Sequence, residues 1–252
     1  MSSLEQLPNA PIVEAVLDFD CDLPPEFDLA AQEARSSAAL KDRYPKAQKR
    51  FSQEHIFEVG ATEPKVSARA ALEALHFRQQ DDKQLIQVRA QGYSFNRLAP
   101  YTNLDDYLPE IERTWRIYVE IASPIRIRNA RLRYINRIRL PFEEGRVDLE
   151  KYFKIAPRFP EEEHFGLTNF LTQQSAIETE TKLHAHIVLA TEAAPNDGEF
   201  LPVILDINAA DTVLIDDPRD WANIKTRILA LRALKNRMFQ HSVTPTCIEL
   251  FQ

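Results

Sequence analysis

The chain has little of what catalytic or secreted proteins usually display. Its two cysteines, Cys21 and Cys247, stand 226 positions apart, which excludes a disulfide framework and a zinc site built on closely spaced thiolates. Five glycines occur, each alone: Gly60, Gly92, Gly145, Gly166 and Gly198. That leaves no material for a glycine-rich phosphate loop. There is no G-x-S-x-G elbow, no H-E-x-x-H helix and no cysteine with a recognisable histidine partner. No apolar run approaches the ~18 residues of a membrane span, and Met1 to Pro11 carries neither the basic nor the apolar region of an export signal. These absences point to a cytoplasmic protein with no implied cofactor and no familiar catalytic constellation.

Positive charge is also in short supply. Lys plus Arg number 31 against 38 Asp plus Glu, a net charge of −7, which argues against a protein that coats nucleic acid or anionic membrane by bulk charge. One stretch breaks the pattern. Between Ile125 and Leu140 stand Arg126, Arg128, Arg131, Arg133, Arg137 and Arg139, with no acid among them. They alternate with Ile127, Leu132, Tyr134, Ile138 and Leu140, the two-residue period of a strand with one apolar and one cationic face. The parity changes between Arg128 and Arg131, so one extra residue near Asn129 or Ala130, a β-bulge, brings all six arginines onto one side.

Elsewhere, Val13, Ala15, Leu17, Phe19 and Cys21 predict a first strand, and Asp28 is placed to cap a helix reaching Arg43. A strand over His55 to Val59 and an ambiguous stretch from Ala61 to Ala70 follow. Leu72–Gln80 and Gln84–Leu98 read as a hairpin around Asp81-Asp82-Lys83, with Gly92 as a bulge. Leu104, Leu108, Ile111, Trp115, Val119 and Ala122 mark a helix capped near Asn103, with Pro109 as a possible kink. Val147–Phe153 suggests a helical turn, Pro157–Glu163 a loop, and Thr168–Thr181 has no regular pattern. Leu183–Leu189 and Phe200–Asn208 form a second hairpin around Pro195-Asn196-Asp197-Gly198. Asp217-Pro218 opens the longest helix, through Trp221, Ile224, Ile228, Leu231, Leu234 and Met238, and Thr244–Gln252 trails behind it. The fold class this predicts is α+β, with largely antiparallel sheets packed against long helices. Two similar halves, 1–123 and 124–252, share an order of strand, helix, hairpin and helix; a single domain over 1–252 is the alternative.

Three segments carry a resemblance. Asn9-Ala10-Pro11-Ile12-Val13-Glu14-Ala15, Tyr101-Thr102-Asn103-Leu104 and Arg133-Tyr134-Ile135-Asn136-Arg137-Ile138, in that order, resemble the hallmarks of a sporadically distributed bacterial family of about this length. The family has no assigned activity, cofactor or catalytic residue, so the resemblance implies no function.

The arginine strand supports two readings. Arg131, Arg133, Arg137 and Arg139 could cradle phosphate through bidentate guanidinium contacts, or pair with carboxylates on adjacent strands such as Glu14, Asp18, Glu178 or Glu180. Glu14 beside these arginines, with a divalent cation, would suit phosphate transfer or hydrolysis, yet the E-x-E-x-K pattern of triphosphate tunnel enzymes does not continue from it. His184 and His186 share a strand face, and Asp206 on the partner strand is their candidate third metal ligand. An even-length loop sets Asp206 opposite Ile187, and an odd-length loop sets it opposite His186. Lys225, Arg227, Arg232, Lys235 and Arg237 on the last helix read as solvated charges complementing its dipole. The leading reading is a non-enzymatic binding protein. Its partner would be another protein, a phosphate-bearing ligand or a second copy through the long helix, with nucleic acid less favoured and no membrane.

Overall fold

A computed structural model of the chain describes residues 7–59, 64–159, 167, 169–192 and 199–252. Its body is one antiparallel sheet of nine strands among the described residues: β1 (Ile12–Asp22), β2 (Lys46–Val59), β3 (Pro64–Arg78), β4 (Gln84–Arg89), β5 (Gly92–Leu98), β6 (Arg126–Pro141), β7 (Leu171–Ile177), β8 (His184–Thr191) and β9 (Phe200–Asp211). The spatial order is β2-β3-β4-β5-β1-β6-β9-β8-β7. Helices α1 (Glu33–Leu40), α2 (Leu104–Ala122), α3 (Leu149–Tyr152), α4 (Trp221–Ser242) and α5 (Pro245–Glu249) complete the described elements.

This corrects the predicted fold class. Instead of several sheets packed against long helices, a single sheet, with strands from Ile12 to Asp211, dominates the described residues. The long strands β1 and β6 pair at its centre, so the two proposed halves are joined by a continuous hydrogen-bond ladder.

Alternation along β1 and β6 sends Leu17, Phe19, Leu132 and Tyr134 to one face, where they join Trp115 and Tyr118 of α2 and Ile224, Ile228 and Leu231 of α4 in a buried cluster. A second cluster sets Ile138, Leu140, Val203 and Leu205 against Tyr152 of α3 and Cys247 of α5. The indole of Trp115 donates to the carbonyl of Pro218 at 2.9 Å, which ties α2 to the approach to α4.

Local rules and tertiary context share the element boundaries. Asn103 caps α2 by accepting from the Asp106 backbone N–H at 3.0 Å, as its sequence position suggests. Asp28, the proposed cap of α1, instead accepts from the Ala30 N–H at 2.9 Å in a turn, and the helix begins only at Glu33. The cap of α4 is Asp220 rather than Asp217. The second arm predicted over Gln84–Leu98 splits into β4 and β5, and Gly92 stands at the turn exit, not in a bulge. At φ +153° a Cβ there would lie 1.9 Å from the Phe19 carbonyl oxygen, so strand β1 can approach only a glycine. Segments that looked short or irregular become β2, β3 and β7 because neighbouring strands supply their hydrogen-bond partners. The predicted turn at Pro195–Gly198, most of the Pro157–Glu163 loop, and Gly60 and Gly166 lie outside the described residues.

Candidate functional site

Strand β6 presents different chemistry on its two faces. On the face away from the helices, the bulge foreseen near Asn129 is present: Asp20 pairs with Asn129 but Cys21 pairs with Ile127, leaving Arg128 as the extra residue. All six arginines therefore lie opposite Ile127, Ala130, Leu132, Tyr134, Ile138 and Leu140, which are buried.

Carboxylates meet five of these arginines. Arg126 and Arg128 share Asp22. Arg131 makes a forked contact to Asp20 at 2.6 and 3.0 Å, and Arg89 from β4 reaches the same carboxylate at 3.0 Å across Gly92. Arg133 binds buried Asp206 through Nε at 2.9 and 3.0 Å and through a further Nη2 contact; these hydrogen bonds hold its guanidinium pKa above the ordinary value. Arg137 pairs with Glu192 at 2.6 Å. Arg139 lies over the Phe200 ring, 4.5 Å from its centroid.

The other candidates are dispersed. Glu14 accepts from Asn96 Nδ2 at 2.7 Å and forms no ion pair with the arginines among the described residues. Glu178 binds Arg237 of α4 and not β6. In the hairpin, Ile187 faces Ile207, His186 faces Asn208, and Asp206 faces Val188. Neither proposed register is the real one, and Asp206 is engaged by Arg133. His186 Nδ1 is 2.8 Å from Ser175 Oγ. Among the described residues no group of three or more His, Cys, Asp or Glu is arranged to hold a metal.

On the helix side, sequence reasoning missed a cavity of about 550 Å³, within the ~300–1,000 Å³ typical of small-molecule sites. It lies where the segment entering β1, the start of α2, strand β6 and α4 converge. Its walls include Ala10, Pro11 and Ile12; Tyr101 to Asp106; Tyr134 and Asn136; and Leu7. Residues from the three segments Asn9–Ala15, Tyr101–Leu104 and Arg133–Ile138 thus line one cavity. The fourth wall is Arg232, Lys235, Asn236 and Phe239, whose spacing by threes and fours puts them on one face of α4.

Inside, the Tyr101 and Tyr134 hydroxyls are 2.6 Å apart, and their rings meet edge to face at 5.3 Å. Burial raises both phenol pKa values, that of Tyr134 to about 12. Arg232 is neutralised by Asp105 at 2.8 Å. Lys235 is different: its Nζ sits 3.9 Å from the Tyr134 ring centroid, and it has no hydrogen bond or ion pair among the described residues. A cation over an aromatic face gains about 0.5–2 kcal/mol, whereas desolvating an unpaired ammonium costs several kcal/mol. Burial accordingly wins, and with the nearby Arg232 charge it holds the Lys235 pKa down to about 8.

Of the five cations on the last helix Lys225 is exposed, as in the solvated reading, while the other four depart from it. Arg227 reaches buried Asp211 at 2.8 Å, Arg232 and Arg237 also pair with other elements, and Lys235 points at an aromatic ring. The spacing Arg232, Lys235, Asn236, Phe239 was the available clue, since it mixes polar and apolar residues on one face. Both thiols are buried, and their pKa values are pushed up to about 12, so neither is a ready nucleophile. No helix among the described residues is long and apolar enough to cross a membrane. No protein-family model matches the chain, and the curated proteins offer no match either.

Proposed function

We propose that this is a binding protein whose ligand site is the cavity between Ile12, Tyr101, Tyr134 and Lys235, and that the arginine strand serves chiefly to organise the sheet. The observation that carries this reading is the contrast in compensation: five of the six arginines already hold carboxylates, while Lys235 faces a cavity with none among the described residues. An anion cradled by Arg131 or Arg133 would have to displace Asp20 or Asp206 and leave that carboxylate without its partner. A ligand entering the cavity breaks no ion pair of Lys235 among the described residues.

Binding of N-phenylnaphthylamine, a neutral fluorescent dye, tests the location. The expected result is saturable binding that Ala10→Trp abolishes by filling the cavity and that Arg133→Gln and Arg137→Gln leave unchanged. Binding indifferent to Ala10→Trp but lost in the arginine variants would overturn the assignment.

A further inference from the structure

The charges lining the cavity are unevenly compensated. Arg232 is matched by Asp105. Asp106 is tied into the cap of α2, where its Oδ2 accepts from Asn103 Nδ2 at 2.7 Å. The first turn of α2 thus already has its own two aspartates against the positive end of its dipole, which leaves that end little to offer an anion. Lys235 remains: a partly buried side chain whose ammonium has, among the described residues, one stabilising contact, the face of Tyr134. A buried charge without a counter-ion is destabilising, and a charge-assisted hydrogen bond to an oxyanion is the strongest available remedy. Around it, Leu7, Pro11, Ile12, Leu104 and Phe239 offer apolar wall.

We infer that the ligand is an amphipathic anion, with its oxyanion head seated on Lys235 and its apolar body against Ile12, Leu104 and Phe239. This rests on the cavity being the ligand site. Carboxylate, sulfonate and phosphate heads share the chemistry that Lys235 recognises.

The inference carries a pH signature. Among the described residues, the charged groups that line the cavity with Lys235 are Arg232 on its own helix and Asp105 and Asp106 on α2; the phenols of Tyr101 and Tyr134 line it from the α2 approach and β6 and are kept neutral by burial. An oxyanion beside the amine favours its ammonium form, so binding draws in a proton when the pH is above about 8. Affinity for an anion is then highest below that pH and falls as the pH rises through it.

Two dyes of the same ring skeleton separate the head from the body: anilinonaphthalene sulfonate, an anion whose charge is independent of pH here, and neutral N-phenylnaphthylamine. With the full chain, Lys235→Met is expected to weaken the sulfonate at least about tenfold while changing the neutral dye by less than about twofold. In the unmodified protein, the sulfonate affinity should drop about tenfold per pH unit above pH 8, with the neutral dye flat. This second measurement needs no variant. If Lys235→Met leaves the sulfonate unchanged, weakens both dyes alike, or the pH profiles of the two dyes coincide, the anion seat is wrong. If Ala10→Trp spares both dyes, the cavity itself is not the site, a different failure from the first.

Discussion

Two cationic regions share strand β6 and differ in how their charge is met. On the open face, Arg131 and Arg133 each hold a carboxylate by a forked contact. On the helix face, Lys235 hangs over Tyr134 with no carboxylate among the described residues. The first arrangement is complete within the chain and needs nothing from solution. The second is incomplete, and incompleteness in a cavity is what a ligand can exploit. The density of charge, which makes the arginine strand conspicuous, is therefore a weaker guide to binding than the absence of a partner.

Removing a carboxylate from the complete region should have the largest effect. Asp206 is buried and Arg133 about half exposed, with side-chain accessibilities of 12% and 45%. Asp206→Ala is expected to lower stability by about 2 kcal/mol, less than the ~3–5 kcal/mol of a wholly buried pair because solvent screens Arg133. Urea denaturation measures it, and a loss below about 0.5 kcal/mol would show that the ladder does not organise the sheet.

Lys235 should respond in the opposite sense. Below pH 8 folded and unfolded chains both bind its proton, and the desolvation penalty is fully present; between pH 8 and 10.5 the unfolded chain retains the proton while the folded one releases it. The Lys235 contribution to stability should therefore rise with pH in that window, by about 1–2 kcal/mol once the opposing contact with Tyr134 is discounted. Cys21 and Cys247, raised to about 12 from 9.0, work against this gain from about pH 9, and Tyr134, raised to about 12 from 10.0, from about pH 10, because the unfolded thiols and phenol ionise first. Urea titrations at about pH 7.5 and about pH 9.5 should show the unmodified protein gaining about 1–2 kcal/mol relative to Lys235→Met, in which the opposing thiols and phenols are unchanged. Equal changes in both proteins would show that Lys235 contributes nothing to the pH dependence.

The smallest effect is expected at the rim of the ladder. Arg137 and Glu192 are both over two-fifths exposed, so Arg137→Gln should change stability by less than about 0.5 kcal/mol. A larger loss in a thermal melt would mean that the ladder acts as a cooperative network reaching its exposed end.

Much of the fold was legible locally. The alternation of β1 and β6, the bulge beside Asn129, the Asn103 cap and the apolar stripe of α4 follow from side-chain stereochemistry and unpaired backbone groups at element ends. The extent of β2 and the existence of β7 were not legible, because a strand on a sheet edge is held by its neighbour and need not carry a pattern of its own. The division into separate sheets failed for a related reason: nothing in the periodicity of β1 or β6 says that the two pair with each other.

The candidate site divides along the same line. By itself the sequence determined that β6 has a cationic and an apolar face, that the charges of α4 lie where they do along its surface, and that it contains no glycine-rich loop and no G-x-S-x-G or H-E-x-x-H motif. Only the tertiary structure decided which charge is satisfied. Asp206 reaches Arg133 across 73 positions because β9 lies beside β6, and Lys235 meets Tyr134 because α4 packs over that strand. Periodicity is a property of a few consecutive residues, whereas the compensation of a charge depends on whatever the strand order brings within a few ångströms of it.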